Sequence, residues 1–142
     1  MEKIVDLENT KSVRNMNTAI ALYDEMINKH NAMEAVNKYL VPEYIQHNPS
    51  IGTGAEALGQ AFGYVGHRHP SSRVEIHRII AAGDYVWSHV IFFNLNNDAP
   101  SDRGTAGVDI LKFNEEGKII EHWDVLQEII DPSTAANTNG QV

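Results

Sequence analysis

Between residues 16 and 27 the apolar positions Met16, Ala19, Ile20, Tyr23, Met26 and Ile27 recur at steps of three and four. That is the period of one helical stripe, so this stretch predicts an amphipathic helix. Asn31 with Glu34 three places later can cap a second, shorter helix with Met33, Val36, Tyr39 and Leu40 inward, ended by Pro42. Thr53-Gly54-Ala55-Glu56 has the form of a capping box and predicts a third helix through Ala57, Leu58, Ala61 and Phe62, closed by Gly63, Gly66 and Pro70. Beyond Pro70 the period changes to β-branched runs between turn signals. Strands are expected over 73–80, 85–95, 105–113 and 118–129, with turns at Ala82-Gly83-Asp84 and Asn114-Glu115-Glu116-Gly117 and a polar loop over 96–104. Helices followed by an antiparallel meander make an α+β fold, with the helices covering one face of the sheet and any pocket between the two layers.

A chain of 142 residues holds one domain. It is expected over 15–130, with a loose segment at 1–14 and a small, polar, flexible tail at 131–142. Acidic residues number 19 against 11 scattered basic ones, for a net charge of −8, which argues against nucleic acid as a partner. No run approaches the roughly 20 apolar residues of a membrane span, so no membrane association and a cytoplasmic location are expected. The absence of cysteine removes disulfides, thiolate metal sites and cysteine nucleophiles. No glycine-rich dinucleotide fingerprint, phosphate loop, zinc-protease motif or nucleophile elbow occurs, so no cofactor is expected. The remaining chemistry uses carboxylates and the seven histidines, whose full protonation would bring the charge from −8 to −1.

Residues two apart on a strand share a face, which sorts the polar residues of the apolar runs. Asp109 falls with Leu111 and Phe113. A carboxylate among such neighbours is hydrogen-bonded, paired with a cation or protonated, and a purely structural buried aspartate meets the same demand. In Glu121-His122-Trp123-Asp124 the choice is between His122 with Asp124, suited to proton transfer, and Trp123 with Glu121 on the opposite face. His89 is a single polar residue in an apolar strand, either a satisfied core histidine or one of several titratable groups meeting at mid-sheet. His47 and Asn48, before Pro49, form either a pocket rim or an Asx-type turn. His67-Arg68-His69 reads as a solvated loop.

Tyr44-Ile45-Gln46-His47-Asn48-Pro49, the Ala82-Gly83-Asp84 turn, Val108-Asp109-Ile110-Leu111-Lys112-Phe113 and Gly117-Lys118-Ile119-Ile120-Glu121-His122-Trp123-Asp124-Val125 together resemble the SnoaL-like proteins of the nuclear transport factor 2-like superfamily. The resemblance spans roughly residues 15 to 130. It implies a cone-shaped fold, with three N-terminal helices in the concave face of a strongly curved, mainly antiparallel sheet, an apolar cavity, and a homodimer built through the outer sheet face. Relatives include polyketide cyclases, ketosteroid isomerase, scytalone dehydratase, limonene epoxide hydrolase and noncatalytic members, so fold alone narrows function weakly. In the cyclases an aspartate acts as acid and base without metal or organic cofactor. Asp109 and Asp124 lie in the matching segments.

The expected function is cofactor-free acid/base chemistry on a small or medium apolar carbonyl compound, of aldol-cyclase or isomerase type. Asp109 or Asp124 would be the base, and His47, His89 and His122 the donors or orienting groups. Tyr44, Asn48, Phe62 and Trp123 are expected to contact the bound molecule. One rival is a noncatalytic ligand-binding or dimerisation module. Another is a metal site built from His47, His89, His122 and Asp109.

Overall fold

The first helix begins earlier than its apolar stripe, because two of its first-half residues, Ser12 and Asn15, are polar yet buried. The computed structural model, which describes all 142 residues, places α1 at Thr10–Tyr23, with the Asn9 side chain accepting from the Ser12 N–H as its N-cap. Ser12 Oγ accepts from Gly83 N–H at 2.9 Å, and Asn15 Nδ2 donates to the Gly83 carbonyl at 3.0 Å. These bonds clamp the helix to a hairpin turn and satisfy groups that burial would otherwise penalise. The chain then widens into one π-helical turn, Asp24–Asn28, which brings Met26 and Ile27 into the core together.

The other elements are β1 (Glu2–Val5), α2 (Ala32–Tyr39), β2 (Leu40–Gln46), α3 (Ala55–Arg68), β3 (Arg73–Ala82), β4 (Tyr85–Phe93), β5 (Thr105–Phe113) and β6 (Ile119–Glu128). The strands form one sheet in the order β1-β3-β4-β5-β6-β2. The central four are antiparallel neighbours, whereas the two edge strands pair in parallel, β1 with β3 and β2 with β6. Bulges between Ile76 and Arg78 and between Lys112 and Phe113 bend the sheet around the helices. The α+β class, the three helices and the antiparallel meander match the sequence reading.

Several local expectations do not hold. Residues 2–5, expected to be loose, add a strand to the sheet edge. The residues 40–46, read as the end of a helix and a loop, form the other edge strand. Met33 does not point into the core: Ala32, Ala35 and Val36 do, and the Met33 side chain lies over Gly59 of α3. A Cβ on Gly59 would sit 2.5 Å from Met33 Sδ and 2.8 Å from a Val36 methyl, so the α2–α3 contact requires that glycine. The capping box does not form either. Thr53 Oγ1 accepts from Gln46 N–H and donates to the Tyr44 carbonyl, tying the approach of α3 to β2, while Gly54 occupies the cap position. Helix α3 continues through Gly63 and Gly66 to Arg68, because Gly66 packs against the His30 ring instead of breaking the helix. No helix is long and apolar enough to cross a membrane.

Candidate active site

Cross-strand register brings the inner-face polar residues together. On the β5–β6 pair Asp109 stands opposite Asp124 and Leu111 opposite His122. The parallel pairing of β2 with β6 sets Gln46 beside His122. Neighbours in register point to the same side, so all five side chains enter the space between sheet and helices. That space is a cavity of about 110 Å³, walled mainly by apolar side chains of α1, α3 and the sheet.

Three polar residues, Asp109, His122 and Asp124, are held there by bonds from different elements. Tyr23, at the end of α1, donates to Asp109 Oδ2 at 2.7 Å, and His122 Nε2 lies 3.3 Å from Asp109 Oδ1. His122 Nδ1 is 2.7 Å from Gln46 Oε1, which also accepts the Asn48 backbone N–H at 2.9 Å. Gln46 Nε2 donates to Tyr44 Oη at 3.1 Å. Asn48 Nδ2 donates to Asp124 Oδ2 at 2.6 Å. Both oxygens of Asp109 are therefore engaged, while Asp124 offers Oδ1 to the cavity without a protein partner. Burial foremost, and then the Asp109 charge, drive the Tyr23 phenol far toward its protonated form; burial first, with Asp109 and Asp124, does the same to Tyr44. Both remain hydroxyl donors at neutral pH.

Of the residues expected at the site, Asp109, Asp124, His122, Tyr44, Asn48 and Phe62 line this cavity. His47, His89 and Trp123 do not. Register is the reason. Ile45 pairs with Glu121, so His47 follows Ile45 onto the outer face, where its ring stacks on Trp123 at 4.8 Å and its Nε2 meets Glu121 at 2.9 Å. His89 sits beside Arg78 on the same outer side, with Arg78 Nη1 2.9 Å from its Nδ1. Trp123 alternates with His122 and faces outward with His47.

Two site residues were missed. In the sequence Tyr23 reads as part of an apolar stripe, although a tyrosine in such a stripe carries a hydroxyl that needs a partner once buried. Gln46 was hidden by the reading of its segment as a loop; only strand parity relative to Tyr44 could have turned it inward. The expected metal set is not assembled, since His47 and His89 lie outside. Asp109, His122 and Asp124 each offer one ligand atom within 4.8 Å of the others.

Chemically, the arrangement offers a free carboxylate oxygen, a carboxylate–imidazole pair and two phenols in an apolar hollow. No curated protein matches the chain. Among solved structures it is similar to a candidate polyketide cyclase from Bacillus cereus, with 19% identity over 89% of this chain and 84% of that one and a TM-score of 0.72. It is also similar to a candidate SnoaL-like polyketide cyclase from Jannaschia, with 17% identity over 84% and 89% of the two chains and a TM-score of 0.65. A candidate isomerase of the SnoaL-like family from Agrobacterium tumefaciens gives 17% identity over 83% and 98% and a TM-score of 0.60. At these identities the likeness speaks to the fold. The SnoaL-like domain model matches residues 19–122, most of the chain, with all of β5 and the start of β6 through His122, and the protein therefore belongs to the SnoaL-like domain family.

Proposed function

We propose that the protein is a cofactor-free acid/base catalyst that enolises a small apolar carbonyl compound. The observation that carries this reading is the unequal state of the two aspartates: Asp109 is bonded through both oxygens, whereas Asp124 is held by Asn48 through Oδ2 alone. Asp124 Oδ1 takes a proton from the carbon next to the carbonyl. The C–H electron pair becomes the new C=C bond, and the carbonyl π pair moves to oxygen. The Asp109–His122 pair supplies a proton to that oxygen. Apolar walls strengthen both steps, because few waters compete for the developing charge. Returning the proton from Asp124 to a different carbon, while the enol oxygen gives its proton back to the Asp109–His122 pair, completes an isomerisation; attack of the enol carbon on a second carbonyl, whose oxygen takes the proton held by Asp124 while the enol oxygen gives its own back to the pair, completes an aldol closure.

Cavity size favours substrates near the small end. A void of about 150 Å³ accommodates benzene in an engineered apolar core. The cavity of about 110 Å³ suits an acyclic or one-ring compound better than several fused rings.

The test is α-proton exchange of small cyclic ketones and 1,3-diketones in deuterated water, followed by NMR. The wild type is expected to accelerate exchange, and Asp124→Asn to lose about 10²–10⁴ of that rate while remaining folded. Equal rates for both proteins would refute the assigned base. Binding of the ketones without any exchange would favour a noncatalytic ligand-binding module instead.

The reading includes a second copy of this chain on the outer sheet face. There Ile80, Trp87, Ile110 and Trp123 are consecutive cross-strand neighbours, and Ile80 and Trp87 are 44% and 49% exposed. A self-complementary apolar row of this kind suits a two-fold contact. It also includes a cytoplasmic setting, in keeping with a chain free of cysteine.

A further inference from the structure

The bonds around Gln46 decide where the protons of the neighbouring pair must be. A backbone N–H can only donate, and that of Asn48 points at Gln46 Oε1 at 2.9 Å. Rotating the amide would set its NH2 group against that donor, so the oxygen end of Gln46 must also face His122. His122 Nδ1, 2.7 Å from the same oxygen, therefore carries a hydrogen. The other ring nitrogen, Nε2, lies 3.3 Å from Asp109 Oδ1. If Nε2 and Oδ1 were both unprotonated, two lone pairs would face each other in a buried site. One proton has to lie between them, on imidazolium or on carboxylic acid. Tyr23 donates to the other Asp109 oxygen at 2.7 Å, which leaves Oδ1 as the oxygen that faces the imidazole.

We infer that Gln46 is a positioning residue that locks His122 in its Nδ1–H form and thereby makes the Asp109–His122 pair a carrier of one proton, presented to the cavity beside Asp124. The use of that proton on a substrate oxygen rests on the acid/base reading; the proton count rests on hydrogen-bond geometry alone. Asn48 couples the two halves of the site, because its backbone N–H orients Gln46 and its side chain orients Asp124. The enzyme thus begins its cycle with a loaded acid and an empty base.

The experiment is NMR of the full chain without substrate near neutral pH, reading the His122 ring nitrogens by 15N and the Asp109 carboxyl by 13C. In the wild type, Nδ1 is expected to be protonated, and either Nε2 or the Asp109 carboxyl to be protonated as well. An unprotonated Nδ1, or Nε2 and Asp109 both bare, would overturn the inference. Asp109→Asn provides an amide donor to Nε2, so His122 should become neutral with hydrogen on Nδ1 only. Gln46→Leu should release the ring to a mixture of both neutral forms. Gln46→Glu, which keeps an acceptor oxygen, should restore the Nδ1–H form. An unchanged ring in Gln46→Leu would remove the positioning role even if the proton count stood. If Gln46→Leu fails to fold, the wild-type, Asp109→Asn and Gln46→Glu spectra decide by themselves. No carbonyl compound enters these measurements, so their outcome is separable from that of the exchange assay.

Discussion

Asp109 and Asp124 stand directly opposite each other on adjacent strands. Like charges in that relation oppose folding by a few tenths to about 1 kcal/mol. The fold tolerates the pair by giving Asp109 to Tyr23 and His122 and Asp124 to Asn48. Removing one charge should therefore relieve the sheet. Asp124→Asn is expected to unfold within about 1 kcal/mol of the wild type, or above it, in urea titrations, despite its loss of exchange activity.

Asp109 behaves differently because two buried groups depend on it. Asp109→Ala leaves the Tyr23 hydroxyl and one His122 nitrogen without partners, at roughly 1–3 kcal/mol for each unsatisfied group. Asp109→Asn can accept from Tyr23 and donate to His122, so its stability should stay near that of the wild type. A urea midpoint for the alanine variant equal to that of the asparagine variant would contradict the network.

The phenols make the protein sensitive to alkali. Burial raises the Tyr23 and Tyr44 pKa values in the folded state, so the native form holds these protons more tightly than the unfolded chain. Stability from this source is complete below about pH 10, where unfolded tyrosine ionises, and declines as pH rises further. Thermal midpoints measured from about pH 9 upward should fall more steeply for the wild type than for Tyr44→Phe.

The outer face carries an opposite sensitivity. Burial first, then Arg78 and His77, lower the His89 pKa in the folded state. The unfolded chain therefore takes up the proton first as pH falls below about 6.5, and stability declines from there toward the folded value. Between about pH 7 and pH 5 the wild type should lose more stability than His89→Gln.

Trp87 tests the second copy. Sedimentation of the wild type is expected to report a dimer, and Trp87→Glu, which puts a charge into the apolar row, a monomer with an intact cavity. A wild-type monomer at micromolar concentration would remove the second copy from the proposal.

Strand parity carried much of the site. Alternation alone groups Asp109 with Leu111 and Phe113, and His122 with Asp124, and the register of β5 with β6 sets these two groups side by side. Alternation could not decide which of two sets on β6 faces the helices, because Trp123 is as apolar a neighbour as Leu126. It also could not reach His47, whose direction follows from a parallel edge strand that carries no apolar alternation of its own. Tyr23 and Gln46 escaped for a related reason: each became a site residue through a partner more than 70 residues away, Asp109 for the tyrosine and His122 for the glutamine.

By itself, the sequence determined the periods, and with them three helices, four antiparallel strands and which residues of a strand share a face, since these depend on neighbours a few positions apart. Tertiary structure decided the rest: the two parallel edge strands, the burial of Ser12 and Asn15 and the chain from Tyr23 through Asp109 and His122 to Gln46. Those features exist only where distant segments meet, and the hydrogen bonds that buried polar groups require there have no signature in local spacing.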